Sequence, residues 1–136
     1  MATTTRMQSP RMQSPLGRVL GLGSAKEGLQ HWWMQRLTAI AMVPLAIWFT
    51  IAALGLIGAD RAAMVAWMHN WAAAVFAILL IVAAIYHLAL GLQVVIEDYV
   101  HGEAWKLGLI IVMRLWCIVL VGRGVLAVLT LAFAAS

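Results

Sequence analysis

Only one of the chain's four histidines, His87, lies deep inside an uncharged apolar run. The stretch YHLALGLQVVIEDYVH, Tyr86 to His101, sets that imidazole eleven residues ahead of Asp98 and twelve ahead of Tyr99, where the run breaks. An ionisable side chain so far from water is costly and usually has a task. Two chemistries suit it. One is a neutral imidazole hydrogen-bonded to a neighbouring helix. The other is an axial ligand of haem iron, for which neutral imidazole is a standard donor. Ala83 and Ala84 precede His87 by four and three residues and Gly91 follows it by four, so one helical face around it is nearly smooth, as a porphyrin edge requires. That face favours haem. Since no second histidine lies as deep, a bis-histidine iron would take its other ligand from a separate subunit, which points to a heteromeric complex.

The exit from this run has its own chemistry. Eleven residues are about three helical turns with a drift near 20°, so His87 and Asp98 project from nearly the same face. The Tyr99 phenol is suited to donate a hydrogen bond to a carbonyl oxygen, and Asp98 to relay protons from water. A quinone, which takes two electrons and two protons, fits that pair. On the residues alone the alternative stays open: Glu97 and Asp98 end a helix in solvent, and Tyr99 is an interfacial aromatic. Haem propionates also need partners at the membrane face, and His31 and Arg36 precede the first apolar run. Arg36 is the better candidate because its planar fork matches a carboxylate. Ordinary snorkelling toward lipid phosphate is the alternative for both.

The elements that must position these groups are membrane helices. With 65% apolar and 10% charged residues in 136, the chain is far from globular composition and long enough for one domain. The net charge of +4 and a pI near 10 come from dispersed bases lying mostly before Leu37, which suits a bilayer surface and argues against nucleic acid. Three runs approach the ~20 apolar residues needed to cross the hydrocarbon core: about 37–57, 71–96 and 107–133. The first is too long for a signal-peptide core, so the expectation is that it remains and spans. The expected fold is an all-α membrane protein with three transmembrane helices, part of a heteromeric helical bundle. Residues 1–23 are expected to form a disordered extension and 24–136 the anchor domain. RMQSP, repeated at 6–10 and 11–15, is too short for a structural repeat.

Ser24 and Glu27 have capping-box spacing before the first run, consistent with a short interfacial turn of helix. Trp32 and Trp33 suit the aromatic belt, and Pro44 removes a backbone donor inside the first span, where a kink is expected. Arg6, Arg11, Arg18, Lys26, Arg36 and Lys106 fall on one side of a three-span chain, and Arg61 on the other. That bias puts the N-terminus and the Glu97 to His101 loop in the cytoplasm or its mitochondrial equivalent, and the C-terminus outside. Arg114 and Arg123 fall inside the third run. Arg114 either snorkels back to the cytoplasmic face or approaches a propionate, and Arg123 needs a lipid or subunit partner. Cys117, the single cysteine, excludes an internal disulfide and reads as a small buried apolar residue.

HLALGLQVVIEDYVH, with HWWMQRLTAIAMVPLAIW before it, resembles the small hydrophobic membrane-anchor subunit of succinate dehydrogenase, respiratory complex II, in its alphaproteobacterial and mitochondrial-like branch. The resemblance runs from about Ser24 to the C-terminus. It implies that His87, followed by Gly91, is an axial ligand of haem b shared with a cytochrome b subunit, and that Tyr99 contacts ubiquinone with Asp98 close by. It also implies that Arg36 lies near a haem propionate, with His31 a looser match. FAD and iron-sulfur clusters would belong to partner flavoprotein and iron-sulfur subunits, the complex acting as a succinate:ubiquinone oxidoreductase in a bacterial inner membrane. Two rivals stand beside this reading: an anchor of a quinol:fumarate reductase, and a haem-free structural anchor. A transporter fits poorly, because three spans carry no internal repeat.

Overall fold

The computed structural model describes residues 24–134, and their secondary structure is four helices. Helix α1 runs Ser24–Gly55, α2 Arg61–Met68, α3 Trp71–Tyr99 and α4 Glu103–Ala132. Three of them, taken as Gly28–Gly55, Trp71–Tyr99 and Glu103–Ala132, are long and apolar enough to cross a membrane. At 1.5 Å per residue these spans of 28, 29 and 30 residues run about 42 to 45 Å, longer than a hydrocarbon core of ~30 Å, so their ends reach the headgroup layer.

The three expected spans are present, with corrected ends. The first helix begins at Ser24 rather than near Leu37, as one continuous helix instead of a separate interfacial turn. Nothing between Ser24 and Pro44 stops a helix: the stretch has a single glycine, Gly28, and no proline before Pro44, which the helix contains. The second span continues through Glu97 and Asp98 to Tyr99, and the third starts four residues early, at Glu103. A charged residue ends an apolar run without ending a helix, since backbone hydrogen bonding continues into the interface. The extension over residues 1–23 and the side chains of Ser24 and Glu27 lie outside the described residues.

Helix α2 is an addition to the expected elements. Asp60, in extended conformation, caps it by accepting a hydrogen bond from the Ala63 backbone N–H at 2.8 Å. Gly58, at φ 80°, supplies the left-handed turn after α1 that leads into it. Asn70 then caps α3 through the Ala72 N–H at 3.0 Å, so α2 and α3 are separated by a two-residue corner.

Helices α3 and α4 make the closest backbone pairing. Small residues permit it: Ala73, Ala74 and Ala77 on α3 are buried, and a Cβ placed on Gly124 of α4 would sit 2.9 Å from Ile81 Cγ2. The buried cluster of Ala74, Ala77 and Val128 is sealed by Trp48, Met68, Ile78, Ile81 and Ala132. Helix α1 is held by long side chains. Trp48 stacks on Trp67 at 5.8 Å between ring centroids and meets the edge of Phe76 at 5.3 Å. His69 Nε2 contacts the Ala134 carbonyl at 2.9 Å, tying the α2 corner to the end of α4. Most other large apolar side chains face outward, as they do where lipid or other helices are the solvent.

Candidate functional site

His87 lies midway along α3, half-buried, with its ring turned to α1. Its Nδ1 is 2.9 Å from Thr38 Oγ1, and its Nε2 is 3.4 Å from Gln35 Nε2. Gln35 and Thr38 are three residues apart, so they share a face of α1 and reach one ring together. Thr38 is the buried polar residue of this region, and its hydroxyl lies 2.8 Å from the Met34 carbonyl and 3.1 Å from that of Gln35.

With the Gln35 amide nitrogen facing the ring, one proton assignment satisfies every contact. The Thr38 hydroxyl donates back along its own helix to the Met34 carbonyl, a common bond for a threonine in a membrane helix. Its oxygen then accepts from His87 Nδ1–H. That leaves His87 Nε2 without a proton, its lone pair receiving the long Gln35 N–H contact. A metal-ligating histidine has this form, one nitrogen held by a hydrogen-bond acceptor and the other bare. A buried atom is also left over: Gln35 Oε1 has no hydrogen-bond partner. Burying an amide oxygen in that way costs about 1 to 3 kcal/mol.

The smooth face expected around Gly91 is where this amide rests. A Cβ on Gly91 would meet Gln35 Nε2 at 3.7 Å, ordinary contact distance. Arg36 follows Gln35 on an exposed face of α1, and His31 is half-buried earlier in the same helix. The structure thus joins His87, Gly91, Gln35 and Thr38, and Arg36 stands outside the set hydrogen-bonded to the ring.

Asp98 and Tyr99 form the exposed end of α3, Tyr99 being 78% exposed. Trp105 in the first turn of α4 is 77% exposed, so two large aromatic rings flank the α3–α4 loop at the level where amphipathic rings settle. A polar ladder descends beside them. Arg114 Nη2 donates to Gln93 Oε1 at 3.0 Å, and Gln93 Nε2 donates to Glu97 Oε1 at 2.8 Å. Arg114 thus turns toward Gln93 on the neighbouring helix α3. Arg123 is exposed on α4. Cys117 is buried, 3.9 Å from Met113 Sδ, as a small apolar residue would be.

Gln35, Thr38 and Gln93 were not singled out by the sequence. Each had a faint signal, an uncharged polar residue inside or at the edge of an apolar run, Gln35 three residues from Thr38 and Gln93 four from Glu97. Among the described residues no group of three or more histidine, cysteine or acidic side chains is placed to hold a metal ion, so any iron here would rest on His87 and on ligands from elsewhere.

The model of the succinate dehydrogenase/fumarate reductase transmembrane subunit family matches residues 10–134. The succinate dehydrogenase hydrophobic membrane anchor subunit of Rickettsia conorii is 36% identical over 106 residues, covering 77% of this chain and 84% of that one. Its counterpart from Paracoccus denitrificans is 30% identical over 100 residues, covering 74% and 78%. The succinate dehydrogenase membrane anchor subunit of Reclinomonas americana is 34% identical over 95 residues, covering 65% and 77%. No solved structure matches the chain. A match over nearly the whole length, on a chain with three membrane-spanning helices, makes this protein a multi-pass membrane anchor subunit of the succinate dehydrogenase/fumarate reductase family.

Proposed function

We propose that the chain anchors a succinate:ubiquinone oxidoreductase, presents His87 as one axial ligand to a haem b shared with a cytochrome b subunit, and forms part of the ubiquinone site through Tyr99 and Asp98. The observation that carries the haem reading is the place of His87, midway along α3 beside Gly91, with Nδ1 2.9 Å from the buried Thr38 hydroxyl and Nε2 facing the end of the Gln35 amide at 3.4 Å. When bound, a haem supplies a one-electron store close to the quinone. This chain's own part is to orient the ligand, exclude water and manage protons. Gly91 gives the flat approach, and Arg36, with His31 as the looser candidate, is the residue whose planar fork suits a propionate. FAD and the iron-sulfur clusters belong to the flavoprotein and iron-sulfur subunits, which oxidise succinate and pass on its two electrons.

At the quinone, two electrons arrive from the iron-sulfur partner and two protons from water, giving the quinol. Tyr99 donates a hydrogen bond to one quinone carbonyl oxygen, which becomes more basic as electrons arrive, and Asp98 relays protons from the aqueous side. Their exposure at the end of α3 suits a site completed by another subunit. The lysine and arginine bias places this end in the cytoplasm of a bacterial inner-membrane protein and the C-terminus in the periplasm. The quinol:fumarate reductase and haem-free readings share the fold and differ in what accompanies it.

Purification through a tag on this chain, in mild detergent, tests the whole proposal. The expected result is a complex with a flavoprotein, an iron-sulfur subunit and a second membrane subunit, carrying a b-type haem spectrum and reducing ubiquinone with succinate. A complex without haem, or one working only as a quinol:fumarate reductase, would select a rival.

Thr38 has a separate expected result. Thr38→Val keeps the shape and removes the acceptor for His87 Nδ1–H. Haem retention is expected to fall by roughly 10- to 100-fold, the range for loss of a ligand-orienting hydrogen bond, and the midpoint potential of retained haem to rise because the ligand becomes a weaker donor. Thr38→Ser should restore both. The measurements are haem per complex and a potentiometric titration; equal values in wild type and Thr38→Val would remove Thr38 from the site.

A further inference from the structure

A groove of about 530 Å³ lies between α3 and α4, on the face of α3 beside that of the histidine. Its α3 wall runs from Leu90, about 60° round the helix from His87, to Ala89, about 160° round on the same side, so the groove turns away from the ring toward α4. Val82, Ile85, Ala89, Ile118 and Val121 make an apolar trough, and Gln93 and Arg114 stand together in its lining. Such a shape, apolar with a few convergent polar groups, takes an amphipathic small molecule.

Depth and charge say which one. Arg114 is eleven residues into α4, about 16 Å from its start, and a helix of about 45 Å centred on a core of ~30 Å overhangs by roughly 7 Å at each end. The Arg114 backbone is therefore roughly 9 Å below the hydrocarbon edge. Side chains on a helix lean toward its N-terminus, and the bond to Gln93 on α3 carries the guanidinium toward the headgroup level. Gln93 is neutral and engages one Nη2–H, leaving the other guanidinium donors for an anion that matches their fork. Glu97, one turn nearer water, is held by Gln93. From the trough outward the order is apolar wall, cation, anion. A phospholipid with an ammonium headgroup has the complementary order: acyl chain, phosphate, ammonium.

We propose that this groove is a binding site for one zwitterionic aminophospholipid, its phosphate on Arg114, its ammonium facing Glu97 and an acyl chain along the trough.

Native mass spectrometry of the intact complex, stripped of lipid by detergent washing, tests this with added phosphatidylethanolamine, phosphatidylglycerol and diacylglycerol. Phosphatidylethanolamine is expected to bind one per complex, at least ten-fold tighter than diacylglycerol, with phosphatidylglycerol between them. Arg114→Gln should erase the advantage over diacylglycerol, and Glu97→Gln the advantage of phosphatidylethanolamine over phosphatidylglycerol. Ala89→Phe, which fills the trough and leaves both charges, should weaken all three. Should a variant fail to assemble, the wild-type ranking alone decides. No discrimination among the three lipids, retention of a quinone in place of lipid, or crosslinking of groove residues to a partner helix would overturn the proposal.

Discussion

Tyr99→Phe is expected to lower succinate-driven ubiquinone reduction by roughly 100-fold, within the range for loss of one proton-donating group at a reacting oxygen. Haem content, and succinate oxidation with an artificial acceptor that takes electrons before the quinone, should stay near wild type. The substitution removes one hydroxyl from a ring that is 78% exposed at the end of α3, so it disturbs no packing within this chain. The split between the two acceptors is what carries meaning. Loss of both activities together would signal failed assembly, and retention of both would remove the phenol from quinone chemistry.

The three membrane spans were legible because each is a long apolar run, and burying backbone polar groups in hydrocarbon leaves helix as the available form. Their ends were less so. Glu97, Asp98 and Tyr99 mark the helix exit, and all three belong to the last turn of α3, because the interface tolerates charge on a helix end. Helix α2 went unread although Asp60 before RAAMVAWM is an N-cap signal. Its eight residues are short, and charge and glycine nearby read as a loop.

At the site, His87 was legible from depth alone, whereas Gln35 and Thr38 were not. Nothing in a linear pattern says which face of α1 turns to α3 when both helices are apolar almost all round. Arg114 was ambiguous for a similar reason. Its two fates, the loop or a propionate, differ in side-chain direction, which follows from Gln93 standing opposite it on α3. The sequence thus pointed to the ionisable groups, and the structure supplied the uncharged polar residues in contact with them.

The central claim is that His87 ligates a haem shared between subunits, and it has a large spectroscopic signature. The other histidines make a matched control set: His69 binds the Ala134 carbonyl near the end of α4, His101 lies in the exposed α3–α4 loop, and His31 is far earlier in α1. The deciding measurement is the low-spin haem signal, by absorption and electron paramagnetic resonance, of the complex purified with its cytochrome b partner. This chain expressed alone should give no low-spin bis-histidine spectrum and the complex should give one. His87→Ala is expected to abolish or change that signal, and replacements of His31, His69 and His101 are expected to preserve the axial pair. A normal low-spin spectrum from the His87→Ala complex, at full haem occupancy and with no substitute ligand, would contradict the account and leave His87 a half-buried histidine in contact with Thr38 and Gln35.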